Sequence, residues 1–350
     1  MGVPIISLFC GCGGLDLGFA RAGFDTVLAL DVDPIAVKTY NFNRGADIAQ
    51  VVDLAKASGK HIIELLQERR VEEPPRGVIG GPPCQPFSHS NVHVKSEEED
   101  VRRSLPGKYA AILKTLNDYY KLDFFVFENV RGINFKRHSK EFARFRTLFE
   151  DAGFRLFEGL LDALDFGVPQ SRPRVFVVGF NAQKYNEWDF KFPDAYEIPV
   201  RKVADVIREL PEPRLFERGL RPDDIPYHPN HWTMRPRSEK FRNGSLKEGQ
   251  NHGRSFRVLA WEKPSWAVAY GNREIHIHPS GKRRLSIYEA MLLQGFTDDY
   301  QLLGTFSDQV RQVCDAVPPP LAEALARPIL WFLDGDERAR VPRAGQLSLL

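Results

Sequence analysis

Short apolar runs alternate along the first half of the chain with longer stretches in which apolar residues recur every three or four positions. The runs at 5–9, 26–30, 50–52, 76–79, 123–127 and 175–179 read as buried strands, and 15–22 and 109–120 read as helices. Continuous apolar strands separated by amphipathic helices predict an α/β protein whose sheet is covered on both faces. The pattern loosens from about residue 183, where prolines are frequent and strands short. Regular periodicity returns at 286–296, where Ser286 and Glu289 have the spacing of a capping box, and at 309–326. This composition shift predicts a first domain over 1–184 and a second from 185, with a polar tail from about 334.

A chain of 350 residues, 43% hydrophobic and 27% charged, is long enough to bury a full core in one large domain with a smaller one appended. Its first residues run straight into a strand with neither a basic leader nor an apolar run of spanning length, which predicts a cytoplasmic protein that does not engage a membrane. The four cysteines, Cys10, Cys12, Cys84 and Cys314, form no CxxC pair and no zinc-spaced cluster, so neither disulfides nor a metal site is expected. The net charge of +2 hides an asymmetry. Residues 201–284 hold 18 Lys and Arg against 10 Asp and Glu, an excess of eight that leaves −6 for the remainder. Trp232, Phe241, Phe256, Trp261, Trp266 and Tyr270 are interleaved with that basic charge, a mixture suited to phosphate contact with stacking or wedging groups.

Four stretches carry candidate chemistry. The string Gly80-Gly81-Pro82-Pro83-Cys84-Gln85-Pro86-Phe87-Ser88 follows a predicted strand, and its prolines fix the backbone around one thiol. Phe9-Cys10-Gly11-Cys12-Gly13-Gly14 is a glycine turn between a strand and a helix, and Asp31 ends the next strand about twenty residues on. That carboxylate suits the ribose of either NAD or S-adenosylmethionine, and Asp53 suits an adenine amino group or a helix N-cap equally well. Glu128 ends a strongly apolar strand, where partial desolvation favours a proton-donating carboxyl. Arg172 and Arg174, two residues apart in an extended segment, face the same side.

These motifs, in this order, resemble those of the cytosine-C5 DNA methyltransferases from residue 5 to about residue 327. The resemblance implies a Rossmann-like, S-adenosylmethionine-dependent methyltransferase sheet with a smaller target-recognition domain, S-adenosylhomocysteine as product and double-stranded DNA as substrate. It makes Cys84 the nucleophile at cytosine C6 and Glu128 the acid at N3. Arg172 is expected near cytosine O2, with Arg174 bracing Glu128 or the loop. Cofactor contacts are expected from Phe9, Gly11, Gly13, Gly14, Leu15, Asp31, Val32, Asp53, Leu54, Pro82, Leu105, Asp315 and Ala316. DNA contacts are expected from Gln85, Ser88, Ser90 and Arg102, and from Arg235, Arg237, Arg254 and Arg273 in the basic segment. Cys314-Asp315 stands where the family has Gly-Asn, placing an acid where an amide is usual. A compact single chain is similar to the bacterial enzymes that act as monomers beside a restriction endonuclease. A transfer-RNA methyltransferase lacks support because the Cys-Phe-Thr element of those relatives is absent. A catalytically silent DNA-binding regulator and a nicotinamide oxidoreductase are the remaining alternatives.

Overall fold

The computed structural model describes residues 2–83, 104–135, 138–251, 256–267 and 276–342. Its first lobe comprises β1 (Val3–Leu8), α1 (Gly14–Arg21), β2 (Phe24–Asp31), α2 (Pro34–Arg44), β3 (Ala49–Val51), α3 (Gly59–Glu68), β4 (Gly77–Gly80), α4 (Leu105–Tyr120), β5 (Phe124–Val130), α5 (Ser139–Asp151), β6 (Phe154–Asp162), β7 (Gln170–Ser171) and β8 (Pro173–Asn181). Seven of these strands form one sheet in the order β3-β2-β1-β4-β5-β8-β6, parallel except where β8 runs antiparallel between β5 and β6. The strands are apolar on both faces because both faces are covered. On one side Ile62, Leu66, Leu113, Leu116 and Phe149 of α3, α4 and α5 pack on the sheet. On the other, Leu15 and Phe19 of α1 pack with Leu321, Leu325, Ile329 and Phe332.

The latter four residues come from the far end of the chain. Beyond β9 (Trp188–Phe190), α6 (Ala204–Ile207), β10 (Arg214–Leu215), β11 (Trp232–Thr233) and β12 (Ser265–Trp266) lie α7 (Ile287–Leu293), α8 (Phe306–Asp315), α9 (Pro319–Asp334) and β13 (Arg340–Pro342). Each of the three helices starts where its sequence dictates. Ser286 and Glu289 close a reciprocal capping box on α7, Thr305 and Asp308 do so on α8, and a Pro-Pro pair opens α9. α9 lies directly on α1. A Cβ at Gly18 would overlap the Ala322 side chain and come within 2.5 Å of the Glu323 amide nitrogen. Gly18→Ala is therefore expected to lower stability by about 1–3 kcal/mol through overpacking, read as a lower urea midpoint with an unchanged slope.

The second lobe has little regular structure, and its core is built from side chains. Trp232, Leu285, Met291, Phe296 and Val313 form one cluster, and Phe241, Leu246, Val258 and Ile277 another. This corrects the reading of its aromatics as DNA wedges. Trp232 is buried, with its indole N–H donating to Gln309 Oε1 at 2.8 Å, and Phe241 is buried beneath the Arg284 guanidinium. Lys240 lies over Phe256 and Arg208 over Trp261. A lobe with so few backbone ladders needs its large side chains inside, so part of the basic and aromatic interleaving is satisfied internally. Trp266 is an exception, still 38% exposed. Tyr270 lies outside the described residues.

Candidate active site

The strand order fixes where chemistry belongs. From β1 the chain moves outward through β2 to β3, then returns to place β4 on the other side of β1. The crevice at such a reversal, beyond the C-terminal strand ends, is where open α/β sheets hold ligands. Here it is bounded by the glycine turn after β1 and by Gly81-Pro82-Pro83 after β4. The register pairs Leu8 with Gly80 and Gly80 with Phe127, so the turn, the Pro-Pro segment and Glu128 stand side by side.

The turn is shaped by its backbone. Phe9, Gly11 and Gly13 all have positive φ, an unusual conformation for Phe9 that marks the turn as functionally constrained. The Gly11 N–H donates to one oxygen of Asp31 at 2.8 Å, and the Asp33 N–H to the other at 2.9 Å. Each Asp31 oxygen thus keeps acceptor capacity for a ligand hydroxyl. Burial raises the Asp31 carboxyl, with the two backbone donors opposing. Open space adjoins the Gly11 Cα, and Val32 and Val51 at the ends of β2 and β3 are 62% and 54% exposed. A carboxylate beside bare apolar side chains and an open glycine fits a nucleoside with ribose hydroxyls and a flat base, such as S-adenosylmethionine.

Several expected contacts are corrected in kind. Gly14 faces the carbonyl of Val317 and the Ala316 methyl, so its missing side chain admits the C-terminal segment to the turn. Gly13 packs against the Tyr40 and Tyr300 rings. Leu15 and Leu54 have buried side chains committed to the two sheet cores, and the Leu105 side chain is buried as well, which leaves their backbones alone for a ligand. Asp53 does not cap a helix. It accepts the Ala55 N–H at 3.1 Å within a turn and pairs with Lys56 at 3.1 Å, contacts that lower its carboxyl, while α3 starts later under Ser58. Pro82 is buried, and its carbonyl accepts from Asn129 Nδ2 at 3.4 Å.

Glu128 is buried, with Oε1 2.9 Å from Arg174 Nε. Burial is the larger influence and raises its carboxyl, while the Arg174 and then the Arg172 charges oppose. Both arginines influence Glu128, but their placements differ. Arg172 is 1% exposed and donates to the carbonyls of Cys314 and Ala316, so it clamps the C-terminal segment instead of lying open in the crevice. Burial, reinforced by Arg174, lowers its guanidinium to about 9, still cationic at neutral pH. A Cβ at Gly81 would approach Glu128 Oε2 to 2.6 Å, so the backbone leading toward Cys84 passes directly over that carboxyl. Cys84, Gln85, Ser88, Ser90 and Arg102 lie outside the described residues, as do Arg254 and Arg273. Arg235 and Arg237 are exposed, and Arg235 forms a solvent-accessible pair with Glu217 at 3.1 Å, which is energetically weak.

Sequence reasoning missed three supports. Gln294 Nε2 donates to Ala316 O at 2.6 Å, the Tyr300 hydroxyl donates to Cys12 O, and Arg311 pairs with Asp33 at 2.6 Å. Gln294 lay within a recognised motif without an assigned role. The other two join residues 288 and 278 positions apart, with no local signal. Among the described residues no cluster has the makings of a metal site, and no helix is long and apolar enough to cross a membrane.

The family of C-5 cytosine-specific DNA methylases matches residues 3–331. Among curated relatives, the Type II methyltransferase M.FnuDI of Fusobacterium nucleatum is 32% identical over 97% of this chain and 97% of its own length. M.MthTI of Methanothermobacter thermautotrophicus is 32% identical over 96% of this chain and 99% of its own. Among solved structures, a putative DNA modification methyltransferase encoded within an E. coli prophage superposes with TM-score 0.77 at 22% identity, covering 95% of this chain and 99% of that one. Dnmt2 of S. pombe superposes with TM-score 0.62 at 17% identity, over 95% and 99%. Those two likenesses support the methyltransferase fold. With a family match across nearly its full length and relatives of 32% identity aligned end to end, this chain belongs to the C-5 cytosine-specific DNA methylase family and is a DNA cytosine-C5 methyltransferase.

Proposed function

We propose that the protein flips a target cytosine out of duplex DNA within a short specific sequence and methylates C5 through a covalent adduct between Cys84 and C6. The observation that carries this reading is the passage of the Gly81 backbone over Glu128. Cys84 follows Gly81 by three residues, which span at most about 10 Å, so chain length alone permits its thiol and Glu128 to serve one base. Cytosine C5 is a poor nucleophile in the aromatic ring. Addition of the Cys84 thiolate to C6, with Glu128 supplying a proton at N3, converts the ring to an enamine that is nucleophilic at C5. S-adenosylmethionine, held by the glycine turn, Asp31, Val32 and Asp53, supplies an electrophilic methyl group. Methyl transfer to C5 releases S-adenosylhomocysteine, and loss of the C5 proton to water, elimination of the Cys84 thiolate and return of the N3 proton to Glu128 then restore the aromatic ring and the enzyme. Arg174 holds Glu128 in place, and Arg172 adds positive charge behind the base.

Flipping costs a few kcal/mol of stacking and pairing, offset by phosphate and base-edge contacts from a recognition domain over 185–307, Arg235 and Arg237 among them. The catalytic domain is then 1–184 completed by 308–350, as the packing of α9 on α1 supports. The relatives named Type II methyltransferases support a pairing with a restriction endonuclease, and we read the enzyme as a cytoplasmic monomer. Incubation with methyl-labelled S-adenosylmethionine and mixed-sequence duplex DNA is expected to place label in 5-methylcytosine at one recurring short sequence. Label on other bases, or none on DNA that the protein binds, would sink the reading.

A further inference from the structure

Within the glycine turn, the peptide plane between Cys12 and Gly13 is held at both ends. Its carbonyl accepts the Tyr300 hydroxyl, and its N–H donates to Cys10 O at 2.9 Å. Gly13 has a φ of 90°, and a Cβ there would lie 2.9 Å from the Tyr40 ring and 3.2 Å from the Tyr300 hydroxyl oxygen. A side chain at this position would keep the hydroxyl away, so glycine is what lets Tyr300 reach the turn. Glycine also makes the plane easy to turn over, because it populates positive and negative φ about equally. The Tyr300 hydroxyl opposes that rotation from outside the turn.

Tyr300 is buried and begins a strap, residues 300–303, whose backbone is gripped by side chains. His228 Nδ1 accepts the Asn230 N–H at 3.1 Å, so Nε2 carries the ring hydrogen and donates to Tyr300 O at 3.1 Å. Asn43 of α2 accepts the Gln301 N–H at 2.9 Å and donates to the Gln301 carbonyl at 2.8 Å. Asn230 of the second lobe does the same for Leu302, at 2.9 and 2.7 Å. Thr39 and Gln312 close on the Leu303 N–H and carbonyl at 3.0 and 2.9 Å. Both lobes thus fix the strap, and the strap aims one hydroxyl at the turn. We propose that Tyr300 is a positioning residue for methyl transfer, whose hydroxyl holds the peptide plane between Cys12 and Gly13 in the orientation that receives the cofactor. The inference rests on the reading that the glycine turn holds S-adenosylmethionine. Its consequence is a turn set before the cofactor arrives, so that less conformational freedom is lost on binding.

The test compares the native chain with Tyr300→Phe, which keeps the ring and loses only the hydroxyl. Calorimetric titration without DNA is expected to show S-adenosylmethionine and S-adenosylhomocysteine weakened alike, about three- to tenfold, because the two share a nucleoside and one neutral hydrogen bond is lost. In steady-state methylation the KM for S-adenosylmethionine should rise by a similar factor, with kcat and the KM for DNA nearly unchanged. Amide exchange in the cofactor-free chain should quicken at Gly13 while β1 and β2 keep their native protection. A Tyr300→Phe chain that binds both ligands at native affinity, one whose exchange quickens throughout the first lobe, or one that does not fold would overturn the inference and leave the cofactor reading intact. A native chain that binds neither ligand overturns the cofactor reading itself, and the inference with it.

Discussion

Cys84→Ser is expected to lower methyl transfer by roughly four orders of magnitude or more, with DNA affinity nearly unchanged. An alcohol is far less ionised than a thiol at neutral pH, and an alkoxide is a poorer nucleophile toward a soft ring carbon. The substitution removes one sulfur atom and disturbs no charge that meets DNA. Single-turnover transfer measured beside equilibrium binding separates the two effects. Serine at native rates would exclude the covalent route, whereas loss of both readouts together would point to a misfolded loop.

The second large effect is expected at Glu128. Glu128→Gln preserves shape and a hydrogen-bond donor but cannot deliver a proton, so the chemical step should slow about 10²- to 10⁴-fold. The dependence on pH supplies an independent readout. Burial raises the Glu128 carboxyl against the opposing Arg174 and Arg172 charges, which extends its protonated form to higher pH than an ordinary carboxyl allows. Activity requiring that proton is fully present below the shifted value and declines as pH rises through it. This limb of the rate profile should be present in the native enzyme and absent from Glu128→Gln. If both proteins share the same profile, the proton at N3 comes from another group.

The parts of the site that were legible in sequence depend on short stretches of chain. The glycine turn, the acid ending β2, the apolar strand carrying Glu128 and the Ser286–Glu289 capping box are each set by residues within a few positions of one another. Asp31 was readable because its role follows from its place at a strand end after a glycine turn. The arginine pair was half readable. Its alternation placed both charges on one face, but nothing local indicated that Arg172 would reach the carbonyls of Cys314 and Ala316, 142 and 144 residues away.

The aromatics of the basic segment show the same limit. Composition gives Trp232 and Phe241 a nucleic-acid flavour, while packing buries both beneath residues from α8 and from the segment before α7. Leu54 likewise aligns with a cofactor motif, yet its side chain belongs to the core under the sheet.

The sequence by itself determined the type of fold, the family and most strands of the sheet, and it nominated the reactive groups, because periodicity, caps and motif order are local properties of the chain. Only the tertiary structure decided which face each residue presents and which distant segment completes the site. Glu128 acquires its raised carboxyl from burial, Gly14 its purpose from Val317, and Ala316 its fixed position from Arg172 and Gln294. Desolvation and Coulomb interaction depend on separation in space, which spacing along the chain does not specify.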